Sequence, residues 1–183
     1  MTTFATFAAA LLMLGAPGKV ESIKATDLDG KPVEIQTAGK ITTVIFISTQ
    51  CPISNDYNER MKALYNEFNP RGVQFVFLNS NSTESSADAA EHARKHGFPF
   101  RVLKDPNNVE ADRFAAEFTP HVYVIGKNSE IIYRGAIDDS RPADKVTKTY
   151  LKDVLNAAIE GKPLPVTETK AFGCTIKRVK KST

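Results

Sequence analysis

Apolar and polar positions fall along this chain in short blocks that predict alternating strands and helices. Ile23–Leu28 and Lys31–Ile35 flank Asp29-Gly30, a dipeptide suited to a tight hairpin turn. Ile41–Ser48 (ITTVIFIS) is a continuous β-branched and aromatic run, the pattern of a strand covered on both faces. After Thr49-Gln50-Cys51-Pro52, the residues Ile53, Tyr57, Met61, Leu64, Tyr65 and Phe68 recur at helical spacing. Pro52 suits the first helical position, where a missing N–H costs nothing. Asn69-Pro70-Arg71-Gly72 ends that helix, and Val73–Leu78 reads as a second buried strand.

A polar loop, Asn79–Ser86, leads into a helix over Ser86–His96 that Gly97 closes. Phe98–Leu103 is a short strand candidate. Asp105-Pro106 turns the chain, and Asn107 is placed to cap a helix over Val109–Phe118. Val122–Ile125 and Ile131–Gly135 form a hairpin through Gly126–Ser129. Pro142–Glu160 is a last amphipathic helix, ended by Gly161. The order predicts an α/β fold with a central mixed sheet and helices on both faces. One domain is expected over 19–161, and 162–183 reads as an extended tail carrying Cys174 and free to pack back on the domain.

Composition narrows the classes. With 183 residues, 42% of them hydrophobic, the chain can bury one core without disulfide staples. The net charge of +3 lies partly in Lys177, Arg178, Lys180 and Lys181, which read as a solvated end and argue against a nucleic-acid partner. Phe4–Leu14 is apolar apart from Thr6 and is too short to span a bilayer. It fits the apolar core of a signal peptide over 1–18, although no Lys or Arg precedes it and Pro17 sits between Ala16 and Gly18. Export to an oxidising compartment such as a periplasm is the expectation; if the segment is instead an N-terminal helix, the protein is cytoplasmic.

The two cysteines, Cys51 and Cys174, are too far apart for a CxxC pair or a zinc knuckle, and no metal or other cofactor is expected. Cys51 follows a buried strand and precedes a helix. Free N–H groups at a helix start stabilise a thiolate, so Cys51 is a candidate reactive thiol. The alternative is a buried, inert cysteine that happens to begin a helix.

The segment ITTVIFISTQCPISN resembles the active-site strand and helix of the thioredoxin superfamily. Thr119-Pro120-His121-Val122-Tyr123-Val124-Ile125 resembles that family's cis-proline loop and following strand, which implies that Pro120 sits beside Cys51. The pattern is most similar to the redoxin branch, which holds the alkyl hydroperoxide reductase/thiol-specific antioxidant proteins and their thiol-disulfide oxidoreductase relatives. The stretch Tyr133–Asp139, together with Gly173-Cys174, resembles an uncharacterised bacterial subgroup of it.

This chain departs from both family motifs. Ser54 stands where a dithiol thioredoxin has its second cysteine. Ser48 matches the hydroxyl position of the peroxidase motif, but Val44 stands at its proline. The active-site strand also carries no Asp or Glu, so proton transfer would need another group or water. Cys174, in Phe172-Gly173-Cys174-Thr175, is the candidate resolving thiol, since exchange requires reach and not proximity in sequence. A structural disulfide pinning the tail, or a free Cys174, are the other readings.

Further candidates are plainer. Ser48, Thr49, Ser54 and Thr119 could contact substrate or thiolate, or could simply satisfy backbone groups. His121 could act as a base beside Cys51 or join it in a copper site, unless strand alternation turns it away. His92 and His96 have metal-ligand spacing on a helix but read as a solvated face. Arg134, which could steer an anionic or peroxide substrate, fits a plain surface charge better, and Asp138-Asp139, which could bind a cation, read by default as a loop or helix-entry acid pair. The reading is a thiol-disulfide oxidoreductase or peroxidase-like redoxin with Cys51 as nucleophile, Cys174 as resolving thiol and Pro120 shaping the site. Its partners would be a redox protein or a peroxide or disulfide substrate, with no integral membrane span. The competing reading is a non-catalytic thioredoxin-fold module that binds a partner protein or copper.

Overall fold

The computed structural model describes residues 19–180. The expected signal peptide over 1–18 lies outside the described residues, as does Lys181. Nine strands and five α-helices are described: β1 Ser22–Thr26, β2 Pro32–Gln36, β3 Ile41–Ile47, α1 Pro52–Asp56, α2 Asn58–Phe68, β4 Val73–Asn79, α3 Ser86–Lys95, β5 Val102–Lys104, α4 Val109–Arg113, β6 Phe118–Thr119, β7 His121–Ile125, β8 Ile131–Gly135, α5 Tyr150–Glu160 and β9 Cys174–Thr175. Seven strands form one mixed sheet in the order β2-β1-β5-β4-β3-β7-β8, and β6 pairs with β9. β3 runs parallel to β4 and antiparallel to β7.

All seven residues of β3 are buried, as its unbroken apolar run requires. Alternation sends them to two cores. Ile41, Ile45 and Ile47 pack with Tyr57, Met61 and Phe68 of the α1–α2 segment and with Leu151, Val154 and Leu155 of α5. Val44 and Phe46 pack on the opposite face with Ala111 of α4, Phe114 and Tyr123. The expected α/β fold, with its N-terminal hairpin and helices on both faces, is the fold observed.

Several boundaries differ from expectation for identifiable reasons. The first hairpin turns over Asp27–Lys31, because the Asp27 carboxylate accepts the N–H groups of Asp29 and Lys31. The helix over 53–68 is broken at Tyr57 into α1 and α2. Phe98 and Phe100 stack their rings, and Phe100 stacks on Phe77; Pro99 between them has no N–H for a ladder, so β5 begins only at Val102.

The helix expected over 109–118 ends at Arg113, and the left-handed Ala115 turns the chain into β6. Asn107 is itself left-handed and does not cap α4; the Asp105 carboxylate accepts the N–H groups of Glu110 and Ala111 instead. Residues 142–149 are not helical beyond one short 3-10 turn, because the Asp139 carboxylate captures the N–H groups of Thr147 and Lys148. α5 therefore starts at Tyr150.

The tail is extended and packs back on the domain, tied down along most of its described length. Arg134 N–H donates to Thr167 O and Thr169 N–H to Arg134 O, which covers the edge of β8. Ala171 and Ile176 are buried, and the Phe172 ring lies 6.1 Å from that of Tyr57. Beyond β9, Lys177 N–H donates to Asn81 Oδ1 and Ser82 N–H to Lys177 O.

A candidate thiol-disulfide site

β3 delivers the chain to a turn, Ser48–Cys51, at the end of the sheet; Ser48 and Cys51 are buried and Gln50 between them is exposed. Cys51 is 3% exposed and caps α1, and its Sγ accepts the Ser54 N–H at 3.3 Å. Two serines clasp the turn. Ser54 Oγ accepts the Ser48 N–H at 3.1 Å, while Ser48 Oγ accepts the Cys51 N–H at 3.0 Å and the Gln50 N–H at 3.2 Å. Asn55 Nδ2 donates to Thr49 O at 2.9 Å. Ser48, Thr49 and Ser54 thus shape the loop that carries the sulfur, and the hydroxyl of Ser54 is engaged inside the turn.

The Thr119–Pro120 peptide is cis, as the resemblance implied, and Pro120 is buried. The loop meets Cys51 through Thr119, whose carbonyl oxygen lies 3.3 Å from Cys51 Sγ. Thr119 also pairs with Cys174 across the β6–β9 ladder, and its Oγ1 donates to Cys174 O at 3.4 Å. Cys51 and Cys174 are disulfide-bonded, with their Cα atoms 5.8 Å apart. The fold therefore brings Cys51, Cys174, Ser48, Thr49, Ser54, Thr119 and Pro120 to one end of the sheet.

It does not bring His121 to Cys51. The His121 ring sits 4.7 Å from that of Tyr123, and Nδ1 accepts the Glu117 N–H at 3.3 Å. Burial, with a further contribution from Arg134, pushes this imidazole down to about 4. A shared Cys51–His121 copper site thus lacks its geometry, because β7 alternation turns the ring towards the Tyr123 side. His92 Nε2 engages Asn55 Oδ1 at 2.9 Å and its ring lies beside His96. Among the described residues no group of three His, Cys, Asp or Glu side chains is placed to hold a metal ion. Arg134 pairs with Glu168 of the tail, Asp138 with Arg60 and Tyr57, and Asp139 with Thr147, so these charges are structural ties.

One site residue was not foreseen. Glu84, in the polar loop after β4, is 4% exposed. Its Oε1 accepts from Ser48 Oγ, Asn81 Nδ2 and the Gln50 N–H, and its Oε2 from the Thr49 N–H and Asn79 Nδ2. Burial alone would raise this carboxyl, but the hydrogen bonds from Ser48, Thr49 and Asn79 outweigh it and hold it below the ordinary carboxylate value. An ionised carboxylate therefore lies beside the Cys51 turn, although the active-site strand carries none. The available signal was weak: a single acid in a Ser- and Asn-rich loop at the carboxyl end of a buried strand. Gln50, Thr83, Glu84, Cys174, Thr175 and Lys177 line a cleft beside the disulfide. Among the described residues no helix is long and apolar enough to cross a membrane.

Residues 17–134 match the AhpC/TSA family. Among solved structures, the chain is similar to an uncharacterized conserved protein from Geobacillus kaustophilus, at 28% identity and a TM-score of 0.83, over 93% of this chain and 96% of that one. A hypothetical protein from Sinorhizobium meliloti 1021 is similar at 23% identity and a TM-score of 0.81, over 91% and 96%. A secreted Mycobacterium tuberculosis disulfide oxidoreductase homologous to E. coli DsbE shares the fold at 19% identity and a TM-score of 0.52, over 60% and 79%. No curated protein matches. A family match that runs from residue 17 into β8, on a thioredoxin-like sheet, makes this chain a member of the AhpC/TSA redoxin family.

Proposed function

We propose that this protein is a thiol-dependent oxidoreductase in which Cys51 attacks and Cys174 resolves. One observation carries the reading: the sulfur bonded to Cys51 comes from a tail strand paired with the cis-proline loop, while Ser54 occupies the local position. In the reduced protein, the Cys51 thiolate attacks one sulfur of a substrate disulfide. A Cys51–substrate bond forms and the other substrate sulfur leaves as a thiolate. Cys174, as thiolate, then attacks Cys51 Sγ. The second substrate thiolate leaves, and the Cys51–Cys174 disulfide is the oxidised product. With a peroxide, Cys51 would instead become a sulfenic acid, releasing an alcohol or water, and condense with Cys174 with loss of water. The disulfide substrate fits better, because Val44 holds the place of the peroxidase motif's proline. An electron-donating thiol protein is the partner that would return the pair to the dithiol state.

Export is part of the same proposal. The apolar run Phe4–Leu14 supports it, and an oxidising compartment would hold the pair as a disulfide between turnovers. Recovery of the protein from a periplasmic or secreted fraction, shortened at its N-terminus, is the expected result.

The deciding experiment measures insulin-disulfide and peroxide turnover by the wild type, Cys51→Ser and Cys174→Ser, alongside peptide mass spectrometry across redox buffers. Turnover that Cys51→Ser abolishes, with a Cys51–Cys174 peptide that appears and disappears near physiological potentials, is expected. An inert wild type whose bond resists reduction below about −300 mV would make the bond structural and end the proposal.

A further inference from the structure

The Glu84 carboxylate touches both halves of the disulfide's surroundings. On one side it accepts Ser48 Oγ, which in turn accepts the Cys51 N–H, and it also accepts the Thr49 N–H at 2.7 Å. On the other side it accepts Asn81 Nδ2 at 2.9 Å, and Asn81 Oδ1 accepts the Lys177 N–H at 2.7 Å. Lys177 stands three residues after Cys174 on the docked tail. One buried side chain is thus the node between the turn that carries Cys51 and the tail segment just after Cys174. The loop beneath it is pinned in turn: Lys104 Nζ donates to Glu84 O and to Asn79 Oδ1, both at 2.6 Å.

We propose that Glu84 is a positioning residue that sets the redox equilibrium of the Cys51–Cys174 pair by holding the two sulfur-bearing segments in bonding register. A disulfide within one chain is favoured over two thiols to the extent that the thiols are held at bonding distance before they react. A link to both segments raises that effective concentration, and its loss lowers it. Only an ionised carboxylate suits the node. All five of its partners donate, three to Oε1 and two to Oε2. A glutamine would turn an NH₂ group against two or three of those donors. This inference rests on the pair being reducible, as the proposed function requires, but it is tested by an equilibrium and not by turnover.

The experiment equilibrates wild type and Glu84→Gln against dithiothreitol and glutathione buffers and reads the Cys51–Cys174 disulfide by mass spectrometry. The disulfide equilibrium constant should fall at least tenfold in Glu84→Gln, which raises the potential by about 30 mV. A purely structural Glu84 would weaken the oxidised and reduced forms alike. It would lower both thermal midpoints equally and leave the equilibrium within twofold of wild type, and that result overturns the proposal. If Glu84→Gln does not fold, Ser48→Ala and Asn81→Ala each remove one arm of the node. Both should shift the equilibrium in the same direction, and no shift in either overturns the inference. Absence of turnover in the wild type would count against the proposed function and leave this equilibrium measurable.

Discussion

Gly173 lies against the backbone of Thr119, so closely that a Cβ on it would stand 2.6 Å from the Thr119 carbonyl carbon. Real Cβ atoms do not approach backbone at that distance, so the residue before Cys174 has to be glycine for the tail to reach the cis-proline loop. Gly173→Ala should therefore push β9 off β6 and destabilise the oxidised protein by about 1–3 kcal/mol. Denaturant unfolding measures the loss, and non-reducing mass spectrometry should find less Cys51–Cys174 bond at a given potential. An alanine variant with wild-type stability and bond content would show that the tail can dock another way.

Ser54 Oγ is the partner of the buried Ser48 N–H. Ser54→Ala leaves that donor without an acceptor, and the cost of an unsatisfied buried group is about 1–3 kcal/mol. Urea unfolding should show the loss in the oxidised and reduced protein alike, since the bond removed lies within the turn and does not involve Cys174.

Cys174→Ser should convert a resolving site into a trapping one. With oxidised glutathione, Cys51 would accumulate as a mixed disulfide that the wild type clears, and intact-mass spectrometry would read it directly. The same variant lacks a crosslink that closes a loop with a sequence separation of 123 residues. Its loss should lower stability by about 2–4 kcal/mol relative to the oxidised wild type.

His121 gives a pH dependence of known sign. Its ordinary value of 6.5 falls to about 4 in the folded protein, first through burial and then through Arg134. Between those values the unfolded chain binds a proton that the folded chain does not, so stability rises with pH across the window. The contribution is complete above pH 6.5 and is lost as pH falls through about 4. His92 is also lowered and adds in the same direction. His121→Gln should flatten the stability profile between pH 6.5 and 4; an unchanged slope would remove His121 as its source.

Much of the candidate site could be read from short stretches of chain. Cys51 at the end of a buried run, Pro52 at a helix start and Thr119-Pro120 before a strand are local patterns, and each lies where expected. Cys174 is the one other cysteine of the chain, the sequence leaves open whether it bonds to Cys51, and the fold brings the two together as a disulfide. Glu84 was hidden for the opposite reason. A glutamate among serines and asparagines looks like a solvated loop, and its burial becomes visible only when the Cys51 turn and Asn79 supply its donors. The failed helix over 142–149 has the same origin: local periodicity was adequate, but Asp139 offered the backbone better partners from outside the segment.

By itself, then, the sequence determined the strand and helix blocks, the two faces of the central strand and the position of the candidate nucleophile. Each depends on side-chain periodicity or on neighbours within a few residues. Only the tertiary structure decided that the tail docks as a strand beside Thr119, that His121 turns away from Cys51, and that Glu84 stands between the two cysteine segments. Those outcomes depend on which buried donors meet which acceptors across the fold, and no local pattern encodes that pairing.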